Sequence, residues 1–108
     1  MAASNDFVTI AASGTTSTAI KIPNDSALIS IQTPAALTGT TLTVQGSQNG
    51  SDYGDVYLDG VVLTLTVTTS KVYQISPRAT LGLASIRLVS GSTEAAARTI
   101  LVSTARVA

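Results

Sequence analysis

Histidine, cysteine and tryptophan are absent from this 108-residue chain, which holds one phenylalanine, one methionine and three tyrosines. Without His or Cys, a Ser-His-Asp or Cys-His catalytic arrangement is excluded, and zinc loses its usual ligands. A disulfide scaffold is excluded too. Charge is also scarce: six basic and six acidic residues cancel to a net charge of zero. No long-range field therefore steers nucleic acid or anionic lipid to this surface, and neither is an expected partner. No window reaches the ~18 continuous apolar residues of a membrane span. The opening Met1-Ala2-Ala3-Ser4-Asn5-Asp6 lacks the basic segment and apolar stretch of a secretory signal. The expectation is a cytoplasmic product with a polar, flexible arm over residues 1–6.

Serine and threonine fill the gap, thirty in all. Threonine alternates with aliphatics in Thr40-Thr41-Leu42-Thr43-Val44-Gln45 and in Val62-Leu63-Thr64-Leu65-Thr66-Val67-Thr68. β-branching favours extended backbone and the hydroxyl meets water, so these runs predict strands with one wet face. The apolar fraction of 44% suffices for a core, and with so few aromatics that core must be aliphatic. One domain over residues 1–108 is expected, burying roughly 60–70% of its unfolded surface.

Turn residues fall every eight to twelve positions, the spacing of an all-β sandwich or barrel. Predicted strands are Phe7–Ala11, Thr18–Ile22, Ala27–Gln32, Thr40–Gln45, Tyr53–Leu58, Val61–Thr68, Lys71–Ile75, Ala84–Val89 and Arg98–Thr104. Ile29 and Ile31 should point inward, as should Ile86 and Leu88 around Arg87. Asp59-Gly60 is the strongest hairpin signal, and Asn49-Gly50 marks a second tight turn. The consecutive Ile100, Leu101 and Val102 place the last strand centrally or at a subunit interface. Only Pro77–Leu83 and Thr93–Ala97 have helical character, each too short to stand alone. The expected fold is an antiparallel, jelly-roll-like β-sandwich of about eight or nine strands.

Candidate chemistry is thin. Asp52, Asp55 and Asp59, with Asn49, could offer oxygens to calcium, but the spacing is not that of an EF-hand, and turn-forming, solvating Asp is the plainer reading. A glycosidase needs two carboxylates across a cleft, and only Asp52 with Asp55 or Asp59 with Glu94 can be nominated. No enzyme activity and no cofactor are expected. Tyr53 and Tyr57 share a strand face by even spacing and, with Tyr73, could offer a sugar platform; Tyr73 alternates with Ile75 and reads better as core. Arg78, Arg87, Arg98 and Arg106 are spread along the chain, and one or two suit an interface.

The segments Thr18-Ala19-Ile20-Lys21-Ile22-Pro23-Asn24-Asp25-Ser26-Ala27-Leu28-Ile29 and Leu42-Thr43-Val44-Gln45-Gly46-Ser47-Gln48-Asn49-Gly50-Ser51-Asp52-Tyr53 resemble small β-sandwich proteins of tailed bacteriophages. So do Ile86-Arg87-Leu88-Val89-Ser90-Gly91 and Ala95-Ala96-Ala97-Arg98-Thr99-Ile100. The resemblance implies a capsid decoration (cement) protein of the virion, made in the host cytoplasm and carried on the capsid surface. Its implied partner is the major capsid protein, and it implies a homo-oligomer, a trimer before a dimer. The middle segment also resembles galactose-binding-like jelly rolls, although Gln48-Asn49-Gly50 departs from their usual Asp-Gly turn. A tail or head-fibre component, or a carbohydrate-binding module, are the alternatives.

Candidate partner contacts are Asp6, Phe7, Tyr53, Tyr57, Arg78 and Arg106, with Ala2–Asp6 and Thr104–Ala108 as adaptable ends that could add strands to a partner sheet. On that reading, removing the first six residues weakens assembly without unfolding the domain.

Overall fold

A computed structural model describes residues 3–107. Eleven strand segments run β1 (Ala3–Ile10), β2 (Ile20–Lys21), β3 (Ser26–Gln32), β4 (Thr41–Ser47), β5 (Gly54–Asp55), β6 (Tyr57–Leu58), β7 (Val61–Val62), β8 (Thr64–Thr66), β9 (Val72–Gln74), β10 (Ser85–Ser90) and β11 (Arg98–Arg106). All pair antiparallel. The first sheet has the order β1-β11-β3-β9; the second has β2-β10-β4-β5, with β8 also on β4. β5 and β8 occupy the same side of β4, one at each end, and act as a single interrupted strand. Counted so, the ladder strands number eight, ordered 1-8-3-6 in one sheet and 2-7-4-5 in the other. That is the jelly-roll arrangement, in agreement with the expectation from sequence.

The interruption is a finger. Val44 receives Val56 N–H at its C=O (3.0 Å) and gives its own N–H to the Leu63 C=O (3.0 Å). The Leu63 N–H closes the neck on the Val56 C=O at 2.8 Å. Residues 57–62 are thereby ejected from the sheet as the β6–β7 hairpin. Asp59 (φ 54°) and Gly60 (φ 81°) form its tip, the two positive φ values that an Asp-Gly hairpin turn requires. The predicted strands Tyr53–Leu58 and Val61–Thr68 are thus each broken, at Val56 and at Leu63, where the chain leaves and rejoins the ladder.

The core lies between the sheets and is aliphatic throughout: Val8, Ile10, Leu28, Ile31, Leu42, Val44, Ile86, Leu88, Ile100 and Val102 are all buried. Burying each such side chain contributes about 1.5–3 kcal/mol. β11 is central in its sheet, as the Ile100-Leu101-Val102 run predicts. The register with β3 shifts between Ser103 and Thr104, leaving Ile29 as an extra residue on β3. That bulge corrects the expected alternation: Leu28 and Ile31 face the core, and Ile29 is only half-buried.

Three further expectations are corrected. The arm assigned to residues 1–6 is a ladder strand from Ala3 onward, paired with β11 as far as Ala3 opposite Ala105; residues 1–2 lie outside the described residues. Removing six residues would therefore strip four pairs from β1 and is no clean test of assembly. Likewise, Thr104, Ala105 and Arg106 belong to β11 and are not an adaptable end; Ala108 lies outside the described residues. Thr93–Ala97 is not helical; it turns Glu94 into the interior. Pro77–Ala79 does form one short 3-10 turn, with Pro at its start.

Candidate functional site

The outer face of the first sheet is the most distinctive surface. The pairings align Phe7 with Leu101, Leu101 with Gln32 and Gln32 with Val72, one row across all four strands. The next row is Asn5, Ser103, Ser30 and Gln74. Strand alternation directs these side chains away from the core. Phe7 is 61% exposed and Val72 58%, at the two edges of the sheet. Neither row carries a charge. The second row is polar and internally bonded, the Ser103 hydroxyl donating to Asn5 Oδ1 at 2.7 Å.

Asp6 lies beside this face, not on it. Its Oδ1 accepts the Phe7 N–H at 2.8 Å at the sheet's edge. Arg106 is exposed and reaches Asp25 at 3.7 Å. Of the six residues nominated from sequence, Asp6 and Phe7 sit at this sheet's edge and Arg106 stands apart from both.

Tyr53, Tyr57 and Arg78 occupy a second region. Tyr53 and Tyr57 do not share a face, because Val56 turns inward and Tyr57 leaves with the finger. Tyr53 is half-buried, its hydroxyl 2.6 Å from Ser85 Oγ and its ring 4.3 Å beneath the Arg87 guanidinium. Arg87 Nε donates to Gln45 Oε1 (2.8 Å), and Gln45 Nε2 donates to Asp55 Oδ1 (2.9 Å), tying three neighbouring strands. Tyr57 is 64% exposed on the finger. Arg78 holds the finger down by donating to both carboxylate oxygens of Asp59 at 3.0 Å. Tyr73 packs against the core and accepts the Thr68 N–H on its hydroxyl.

The acidic stretch does not assemble. Asp52 accepts from Asn49 Nδ2 at 2.7 Å, Asp55 from Gln45, and Asp59 from Arg78. Among the described residues no three such groups come within metal-binding reach. Asn49 shapes this loop, its Oδ1 accepting the N–H groups of Ser51 and Asp52 at 2.9 Å. A cleft of about 420 Å³ opens beside it, floored by Val56, Ala79 and Leu83 and flanked by Tyr57.

Sequence reasoning named Glu94 only as a carboxylate to set against Asp59; among the described residues it is the one buried charge, and its surroundings are fully built. Its carboxylate accepts from Thr38 N–H (2.8 Å), Gly39 N–H (2.9 Å), Ser90 Oγ (2.8 Å) and Arg98 Nε (3.0 Å). Burial pushes its pKa up, but the two backbone N–H groups, the Ser90 hydroxyl and the Arg98 guanidinium outweigh it and hold the carboxyl at about 2. The signal in the sequence was a lone Glu with Arg four residues on, in a chain otherwise poor in charge. With its oxygens occupied, Glu94 joins two loops and offers no acid or base to a substrate.

No protein-family model matches the chain, and no curated protein matches it in sequence. Solved structures share its fold. The SPBc2 prophage-derived protein YomS superposes with a TM-score of 0.59 at 9% identity, over 96% of this chain and 95% of that one. The mitogen of Yersinia pseudotuberculosis is looser, with a TM-score of 0.49 and 11% identity over 98% of this chain and 86% of the other.

Proposed function

We propose that the protein is a structural component of a bacteriophage particle, and specifically a decoration protein that docks on the capsid through the outer face of its four-stranded sheet. The observation that carries this reading is the row Phe7, Leu101, Gln32 and Val72, uncharged and apolar at both ends. A neutral face with exposed aromatic and aliphatic groups costs little to desolvate against another protein. The prophage origin of a protein with the same fold, and the phage-like segments of the sequence, favour the same setting. Many weak contacts repeated over a lattice make release slow, so no reaction is needed.

The test is co-sedimentation with empty capsids built from the cognate major capsid protein. Val72→Lys places a charge on the face at an exposed site, where the fold tolerates it. Occupancy should fall at least tenfold with an unchanged unfolding midpoint. Unchanged occupancy in Val72→Lys, and again in the double variant with Phe7→Ser, sinks this docking face; a wild-type chain that fails to bind sinks the decoration reading.

A second reading, carbohydrate binding, is favoured by the cleft beside Tyr57 with Asp52 and Asp55 on its rim. Titration with lactose, followed by amide shifts of residues 48–57, decides it. Shifts that vanish in Tyr57→Ala support it, and a flat titration removes it.

A further inference from the structure

The β1 edge of the first sheet is unfinished. The Thr9 C=O accepts the Thr18 N–H (2.9 Å) and the Thr9 N–H donates to Thr18 Oγ1 (3.0 Å), so both groups of Thr9 point away from β11. Antiparallel ladders alternate, and Phe7 and Asn5 therefore present their backbone groups to the same side. There the Phe7 N–H meets only the carboxylate of its neighbour Asp6, and the Asn5 N–H and C=O have no partner among the described residues. β1 contains no Pro and no Lys, two residues that commonly blunt such an edge.

We infer that this edge pairs with the same edge of a second copy, joining the two four-stranded sheets into one of eight strands. The chain's own chemistry selects the register. A two-fold axis at Phe7 would set Asn5 opposite Thr9, whose groups Thr18 already occupies. An axis at Asp6 sets two carboxylates face to face, which is repulsive. An axis at Asn5 pairs Asn5 with its own copy and Phe7 with the copy's Ala3, and it brings Ser4 opposite Asp6. In that register the Ser4 hydroxyl donates to the Asp6 carboxylate of the other copy, and the Phe7 N–H exchanges one acceptor for another. Six backbone hydrogen bonds form, and the neutral rows of the two copies become one continuous face. The inference deepens the docking reading, because it doubles the surface offered to a capsid.

The chain has no cysteine, so Asn5→Cys gives a clean probe. Directly opposed, hydrogen-bonded residues of antiparallel strands have Cα atoms about 5.5 Å apart, within disulfide reach. Mild oxidation of Asn5→Cys should give a rapid covalent dimer, while Val61→Cys on the finger should not. Light scattering over a concentration series should show a wild-type dimer. Asn5→Pro removes an N–H that β11 does not use, so the domain should keep its unfolding midpoint while the dimer weakens about thirtyfold, equivalent to ~2 kcal/mol. A wild-type chain that stays monomeric overturns the inference, as does Asn5→Cys cross-linking no faster than Val61→Cys. If Asn5→Pro fails to fold, the cross-linking comparison decides. A monomer that still decorates capsids refutes the pairing alone, and a dimer that does not bind them refutes the docking reading alone.

Discussion

The Gly39 N–H donates to Glu94 Oε2 at 2.9 Å across 55 residues of chain, and a Cβ at position 39 would fall against Ser90 Oγ and that same carboxylate oxygen. The two residues fasten the loop before β4 to the loop before β11. Arg98, with 16% of its side chain exposed, supplies the balancing charge. Four donors on one buried carboxylate leave little of its hydrogen-bonding capacity unmet, the condition under which a buried charge is tolerable.

Glu94→Gln should therefore destabilise the domain by about 3 kcal/mol in urea unfolding at neutral pH. The amide is isosteric, but its NH2 faces backbone donors, and Arg98 loses its counter-charge. A change below about 1 kcal/mol would mean that the loops hold without the carboxylate.

Acid should weaken the wild type through the same group. The native carboxyl titrates at about 2 against an ordinary value of 4.5. On unfolding, Glu94 takes up a proton that the native state refuses, so stability is complete above pH about 4.5 and falls as pH drops through about 2. The total loss from this group is about 3 kcal/mol. Urea midpoints measured through this range should fall steeply in the wild type and less in Glu94→Gln; equal slopes would assign the acid sensitivity elsewhere.

Gly39→Ala should cost about 1–3 kcal/mol, because the added methyl must displace Ser90 or Glu94. Gly54→Ala is the control: a Cβ there meets nothing within 4 Å. Its midpoint should stay within about 0.5 kcal/mol of the wild type. Equal effects at the two positions would show that the close approach at Gly39 relaxes freely.

Arg78→Ala should loosen the finger without weakening the domain. The Arg78–Asp59 pair is 67% and 73% exposed at its side chains, so it adds less than about 1 kcal/mol to global stability. Amide exchange in residues 57–62 should nevertheless accelerate, since this ion pair ties the finger to the turn at Pro77. Unchanged exchange there would assign the finger's order to its neck at Val56 and Leu63.

Much of the fold was legible in local pattern. Asp59-Gly60 announced a hairpin because few other dipeptides accept two positive φ values in succession. The alternation in Ala84–Val89 located Ile86 and Leu88 in the core because strand side chains alternate with period two. The bulge at Ile29 was not legible, since its cause is the register of β11, more than seventy residues away. Nor was the ejection of the finger: Val56 and Leu63 look like ordinary strand residues until both bind Val44.

Composition alone removed histidine- and cysteine-based catalysis and set an aliphatic core within an all-β chain, because those outcomes depend on which side chains exist. Tertiary structure decided which of them meet. It spread three nominated carboxylates over three partners, gave Glu94 four donors from separate segments, and aligned Phe7, Leu101, Gln32 and Val72 across four strands. The Thr38 and Gly39 donors to Glu94, the Arg78 contact with Asp59 and the four-strand row join residues far apart in sequence, where no local propensity reaches.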